Sequence, residues 1–427
     1  MSADTTPTQQ ENAGTWRTTR QVLGNRTVRN LFAARSISVL GDMLVPVALA
    51  FAILDITHDA AALGVVLAAR ALPAVVFLLV GGALGDRYPR RTIMVTSNIV
   101  AFAAQLGIGV VILANGGPIW VIAALTAVRG AVSAFFNPAS TAAVSAVAGP
   151  GRRQPTFALF SLVGTICEVS GPAVAGLLLL AVSPGWVIVI DAATFLISAL
   201  LIGSCGPLGS PSGAARRESF WRTMSAGWVY VRRTRWLVVL IASATIYQFS
   251  LLSSVQVLGP LVANRSLGGS SAWAAVLTAL GAGGVLGSWL GLRLQARRPL
   301  LRGYQLMLFA AGPTLLLLAI PAPLPLLICS EFVAGAIVTY FSTVENAVIG
   351  GHVPPGMLSR VDAVNRFGSM ALRPLGMALV GPVAAAIGLT TTLVGGAMLT
   401  LAAVAAPLVF REIRDLPGEA PTTESPS

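Results

Sequence analysis

Four carboxylates and four guanidinium groups interrupt long apolar runs of this chain: Asp42, Glu168, Asp191 and Glu331, with Arg35, Arg70, Arg129 and Arg373. A charge at the centre of a membrane span costs about 2.5–3.5 kcal/mol on insertion scales. Four unpaired arginines would therefore cost roughly 10 kcal/mol, comparable to the stability of a whole domain. Such groups must pair with one another or face water, and a polar cavity inside a helix bundle provides both. The chemistry open to the acids is proton binding and release as their surroundings change. The three cysteines, Cys167, Cys205 and Cys329, have no metal-ligand spacing and read as small core residues, so no metal is expected.

Asp42, near the middle of the first apolar run, can alternate between protonated and charged forms and so couple proton movement to a change of access. It can equally fix the first helix to a neighbour or touch a bound solute. Glu168 has matching readings: proton or cation binding, or partnership with an arginine. Arg129 is permanently charged and can tune Asp42 or Glu168 or hold a water chain. Arg70 reads as a structural pair at the outer end of a neighbouring helix. Asp191 and Glu331 lie closer to the outer surface, where helix packing or gating suits them better than carrying a proton.

A second charged cluster, GGALGDRYPRRTIM from Gly81 to Met94, abuts the end of the apolar run Ala61–Leu84. Arg87, Arg90 and Arg91 could serve topology alone, but Asp86 could not. It can accept a hydrogen bond from an arginine of a neighbouring loop, forming a clasp at the mouth of a moving helix pair.

The elements that position these groups must be membrane helices. Of 427 residues, 55% are hydrophobic and 10% charged, with a mean hydropathy of +0.79. A soluble domain carries about 25% charged residues. No soluble fold can bury so much apolar surface and still cover itself. The net charge of +12 comes from arginines clustered at the ends of apolar runs, which argues against nucleic acid as a partner. Residues Met1 to Asn25 are polar and the first apolar run is too long for a cleavable signal, so it reads as a retained anchor.

Runs of about 20 apolar residues predict twelve spans, at 31–54, 61–84, 92–114, 118–142, 155–181, 184–206, 236–260, 271–294, 302–320, 323–347, 366–387 and 389–410. Alternate connections hold the arginines and the opposite set holds only Arg265, which places both termini in the cytoplasm. The expected organisation is a cytoplasmic N-terminal segment (1–30), a six-helix bundle (31–206), a cytoplasmic linker (207–235), a second six-helix bundle (236–410) and a cytoplasmic tail (411–427). Within the linker, Trp221, Met224, Trp228 and Val231 recur at helical spacing, as in a helix lying on the inner leaflet. GSWLGLRLQARR, from Gly287 to Arg298, echoes GGALGDRYPRR with Leu292 in place of Asp86, which suggests parallel repeats related by a pseudo-two-fold axis.

Taken together, Gly82-x-Leu84-x-Asp86-Arg87-x-x-Arg90-Arg91, Arg129 within RGAVSAFF, and Gly171-Pro172-x-x-x-Gly176 resemble the motifs of the major facilitator superfamily across essentially the whole chain. Pro89 and Ser133 replace glycines usual in that family. SISVLGD, ending at Asp42, AARALP from Ala68, IDAATFLISALL from Ile190 and VPPGMLSRV from Val353 resemble its enterobactin-exporter and macrolide-efflux branch. The resemblance implies a multi-pass plasma-membrane transporter acting as a monomer on a small molecule. The motif at Gly171, Pro172 and Gly176 is similar to one associated with antiporters and with sealing against leak.

No Walker motif, HExxH or cysteine with a paired histidine is present, which argues against ATP-driven pumping and enzymatic catalysis. The expectation is proton-driven export of a lipophilic or amphiphilic compound, with no cofactor beyond the proton gradient. An importer on the same fold and a lipid flippase or non-transporting scaffold remain as alternatives.

Overall fold

The structure, a computed structural model, describes residues 24–85, 88–114, 117–148, 153–206, 208, 220–294, 296–320 and 322–417. Residues 1–23 of the expected N-terminal segment, 207 and 209–219 of the linker and 418–427 of the tail lie outside these residues. Six helices form the first half: α1 (Arg26–Thr57), α2 (Ala60–Gly85), α3 (Arg90–Leu113), α4 (Ile119–Ala148), α5 (Arg153–Ala181) and α6 (Pro184–Gly203). After α7 (Phe220–Arg233) come α8 (Arg235–Leu267), α9 (Ser270–Arg293), α10 (Pro299–Ala319), α11 (Leu324–His352), α12 (Leu358–Ile387) and α13 (Leu389–Val409). All but α7 are long and apolar enough to cross a membrane, twelve among the described residues. No strand occurs among the described residues.

Local chemistry sets the helix ends. The Asn25 side chain caps α1 by accepting from the Thr27 amide at 2.9 Å. Gly268 and Gly269, at φ +98° and +86°, make the tight reversal between α8 and α9 that a side chain would strain. Two helices depart from the simple spans expected. α8 continues to Leu267 through two π-turns, Gln248–Leu252 and Ala263–Leu267. α12 begins at Leu358 and is broken at Ala371–Leu372, where Pro374 withholds an amide donor, so its second half starts afresh at Arg373.

Three apolar clusters define how the halves meet. The largest draws on both, from Leu49 and Leu54 of α1 to Val257 and Leu258 of α8 and Val276 of α9. The other two belong to one half each: Leu31, Met94 and Ile202 in the first, Leu237, Leu300 and Val361 in the second. The shared core sits at the end where short turns join the spans, and the separate cores sit at the arginine-rich end. Burial along α1 follows the same gradient. It touches neighbours on one face at Val28, Leu31, Ala34, Ser38 and Gly41, and is then surrounded on all sides from Val47 to Leu54. The two halves are therefore joined at the tight-turn end and parted at the other.

Small residues make the join. A Cβ on Gly381 of α12 would lie 2.5 Å from Ala61 Cα of α2, and one on Gly176 of α5 would lie 2.6 Å from Ala274 Cβ of α9. Gly64 of α2 likewise abuts the Met377 carbonyl of α12. The first and last of these contacts are to backbone, which cannot yield. The linker helix α7 does not lie apart from the bundle. Gly227 packs on the Arg360 carbonyl of α12, and Val231 turns into the second half's core while Trp228 stays half exposed. The side chains of Trp221 and Met224 lie outside what the structure describes.

Replacing Gly381 by valine should force α2 from α12 and part the tight-turn end. Spin labels at Asp55 and Thr390 should report a longer distance in this variant than in the parent protein.

Candidate functional site

Asp42 is the hub of the intramembrane charges. Its Oδ1 accepts from Arg129 at 2.7 Å and from Arg70 at 3.3 Å, so one carboxylate oxygen serves guanidinium groups from two helices. Backbone proximity makes this possible. Gly130, beside Arg129, has no side chain to hold α4 off the Arg70 carbonyl of α2. Gly41, beside Asp42, leaves room for Asp191 and Thr194 of α6. The Arg129 side chain is only 6% exposed, and its guanidinium lies over the Phe195 ring at 4.1 Å.

Asp191 is fully buried. Its Oδ1 accepts from the Thr194 hydroxyl at 3.3 Å, while Oδ2 has no partner. It interacts electrostatically with Asp42, Arg129 and Arg70. This corrects two expectations: Asp191 sits level with Asp42 rather than near the outer surface, and Arg70 pairs with Asp42 in mid-bundle rather than at a helix end. The reason is register. The glycines set α1 against α6 and α2 against α4 at these depths, which sequence position alone does not reveal.

Glu168 stands apart from this hub and is exposed within a central cavity of about 730 Å³ between the halves. The cavity wall carries Arg70, Glu168 and Arg373 among mostly apolar residues such as Leu49, Leu277 and Met377. A second hollow of about 430 Å³, lined by α1, α4 and α5, shares Thr165 and Glu168 with it and reaches Arg35. Arg35 donates to Asn137 Oδ1 at 3.3 Å and lies 5.5 Å from the Phe136 ring centroid. Glu331 is buried in α11 with Oε1 unpartnered.

The glycine–proline motif has a clear packing role. Gly171 lets α5 press against Met43 of α1, and Gly176 makes the seal with α9. Pro172 lines the cavity. At the arginine-rich end, Arg90 donates to the Ala142 carbonyl at 3.2 Å and Arg91 to the Gly203 carbonyl, tying α3 to the ends of α4 and α6. Gly82 and Leu84 fall in the last turns of α2, their surroundings undescribed, and Asp86 and Arg87 lie outside the described residues. Among the described residues no group of His, Cys, Asp and Glu side chains could hold a metal ion.

The sequence reading overlooked Gly41, Gly130 and Phe195. A usable signal existed for the glycines: each is adjacent to an intramembrane charge. Phe195 carried none, because its ring position depends on how α6 turns toward α4.

A family model described as transmembrane secretion effector, within the major facilitator superfamily, matches residues 18–421. The chain belongs to that family. Among its relatives is macrolide efflux protein A of Streptococcus pyogenes, 24% identical over 395 residues that cover 90% of this chain and 96% of the relative. Another is the multidrug efflux pump Tap of Mycolicibacterium fortuitum, 27% identical over 357 residues, covering 80% of this chain and 86% of that one. Solved structures share the fold: the nucleoside transporter NupG aligns with a TM-score of 0.75 at 13% identity, over 90% of this chain and 98% of its own. A bacterial homolog of the human lysosomal transporter Spinster, in an inward-facing and unoccupied conformation, aligns with a TM-score of 0.65 at 14% identity, over 90% of this chain and 95% of that one. This family member is a multi-pass cell-membrane transporter of the efflux type, not an enzyme.

Adding a Cβ at Gly130 should press α4 off α2 and strain the hub. Gly130→Ala is expected to cost about 1–3 kcal/mol, as overpacking does, and to lower the melting temperature in detergent. Gly164→Ala, whose Cβ meets nothing within 4 Å, should leave it unchanged.

Proposed function

We propose that the protein is a proton-driven antiporter that exports a lipophilic or amphiphilic small molecule. The observation that carries this reading is the hub itself: a mid-membrane carboxylate shared by two arginines, one of which, Arg70, also lines the cavity between the halves. The efflux relatives support the outward direction, and the arginine-rich connections support cytoplasmic termini. In that orientation the parted end faces the cytoplasm, so cargo enters the cavity from the cell interior or inner leaflet.

Protonation of Asp42 removes the charge that draws both guanidinium groups together. Arg129 is boxed in beneath Phe195, so the partner free to move is Arg70. Arg70 belongs to α2, which closes on α12; Glu168 belongs to α5, which closes on α9. Each candidate proton carrier thus acts on a helix that seals the tight-turn end. A membrane potential of 100 mV supplies about 2.3 kcal/mol per charge moved, roughly a fifty-fold gradient. That suffices for protective efflux by a single chain without ATP.

The test is reconstitution in liposomes with an imposed pH gradient and a panel of amphiphilic compounds. Asp42→Asn and Glu168→Gln should each abolish gradient-driven transport. Full proton-coupled transport by both variants would overturn the coupling assignment. Asp86→Asn, which removes the expected clasp, should slow turnover and leave cargo affinity nearly unchanged; a selective loss of affinity would contradict the clasp.

A further inference from the structure

The central cavity contains a guanidinium group with no counter-ion among the described residues. Arg373 begins the second half of α12, just past the break, and lines the cavity wall. Its Nε is buried without a hydrogen-bond partner, and it forms no ion pair among the described residues. The charged group that acts on it is Arg70, a second cation. Arg70 must itself share Asp42 with Arg129. Toward the second hollow stands Arg35, held by Asn137. Against these, the only acid on the central wall among the described residues is Glu168.

An uncompensated guanidinium in a confined, largely apolar chamber is costly, and the group that best relieves it is a planar or tetrahedral oxyanion gripped by its fork of donors. We propose that Arg373, with Arg70 beside it, binds the anionic group of an amphiphilic cargo: a carboxylate, sulfonate or phosphate. The apolar body of that cargo lies along Leu49, Leu67, Leu277 and Met377. This deepens the reading of the cavity as the cargo site and rests on it. It leaves Glu168 free to take a proton. It also sets the electrical balance: one anion outward and one proton inward both move positive charge into the cell, so an inside-negative potential drives the cycle through both.

A matched pair of probes decides the matter. 8-Anilinonaphthalene-1-sulfonate and N-phenyl-1-naphthylamine share one ring system and differ by the sulfonate. Binding of each to the full-length protein in phosphatidylcholine nanodiscs is read by energy transfer from tryptophan, with empty nanodiscs subtracted. Arg373→Gln should weaken the sulfonate at least about tenfold, the value of a hydrogen bond to a charged group. It should leave the neutral probe unchanged, while Arg373→Lys retains most of the affinity.

Equal weakening of both probes, or none for the sulfonate, overturns the proposal. Displacement of the bound sulfonate by inorganic sulfate as readily as by its own unlabelled analogue would mark a site for free inorganic anions and overturn it equally. Proton uptake into liposomes, followed separately with a pH-sensitive dye, distinguishes this outcome from failure of the antiport reading. Its absence in the parent protein would remove proton coupling and leave the binding comparison to decide the anion site.

Discussion

One carboxylate oxygen accepting from two arginines ties α1, α2 and α4 together at the depth where water is scarcest. Charges there are tolerable only when paired closely, and close pairing of three helices is a backbone problem before it is an electrostatic one. Gly41 and Gly130 solve it by removing the side chains that would separate α1 from α6 and α4 from α2. In lipid, apolar surface gives no drive for helices to associate, so small residues and polar bonds do that work. The hub therefore holds the first half together, and the proton site proposed for it uses the same set of atoms.

The second half is built on a similar plan without such a hub. Gly283, Gly287 and Gly335 bring α9 and α11 into backbone contact, as Gly130 does for α2 and α4. Within its spans no charge hub like that of Asp42 occurs among the described residues; Glu331 keeps Oε1 unpartnered in α11, and Arg373 lines the cavity. Irregular backbone is also concentrated there, in the π-turns of α8 and in the break of α12, the last of which borders the cavity at Met370 and Arg373. Non-helical geometry at membrane depth persists where it borders protein or water. The first half is thus held together by charge, while the second is broken at Ala371–Leu372 beside the cavity.

Much of this could be read from the residues. Apolar runs of the right length gave twelve spans, and the charges within them pointed to an internal cavity, because lipid leaves few other solutions. The pairing did not follow. Asp191 was expected nearer the surface and Arg70 at a helix end, since span position gives depth only to within a few residues and says nothing of facing. Three-dimensional register, set by Gly41 and Gly130, brings both to Asp42. The break in α12 was likewise hidden: Pro374 was visible, but whether a proline bends a helix or breaks it depends on what stands beside the freed carbonyls. The amphipathic face of α7 was legible and its destination was not, because an apolar stripe fits a protein surface as well as a leaflet.

The stoichiometry of the hub carries the argument one step further. Asp42 is the carboxylate that pairs with both Arg70 and Arg129, while Asp191 lies beside them with one oxygen unpartnered. Adding a proton to Asp42 removes the charge that holds the two guanidinium groups, in a region of low polarity where like charges repel strongly. Arg129 cannot relieve the repulsion, being 6% exposed and stacked on Phe195, whereas the Arg70 side chain is 33% exposed and borders the cavity. If Asp42 takes the proton, as proposed, the repulsion is relieved most cheaply by Arg70 swinging into the cavity water. An anion held there by Arg373 would then attract it. Cargo and proton would thus act on the same side chain, and what one does to Arg70 is felt by the other. Coupling of that kind needs no direct contact between the two ligands.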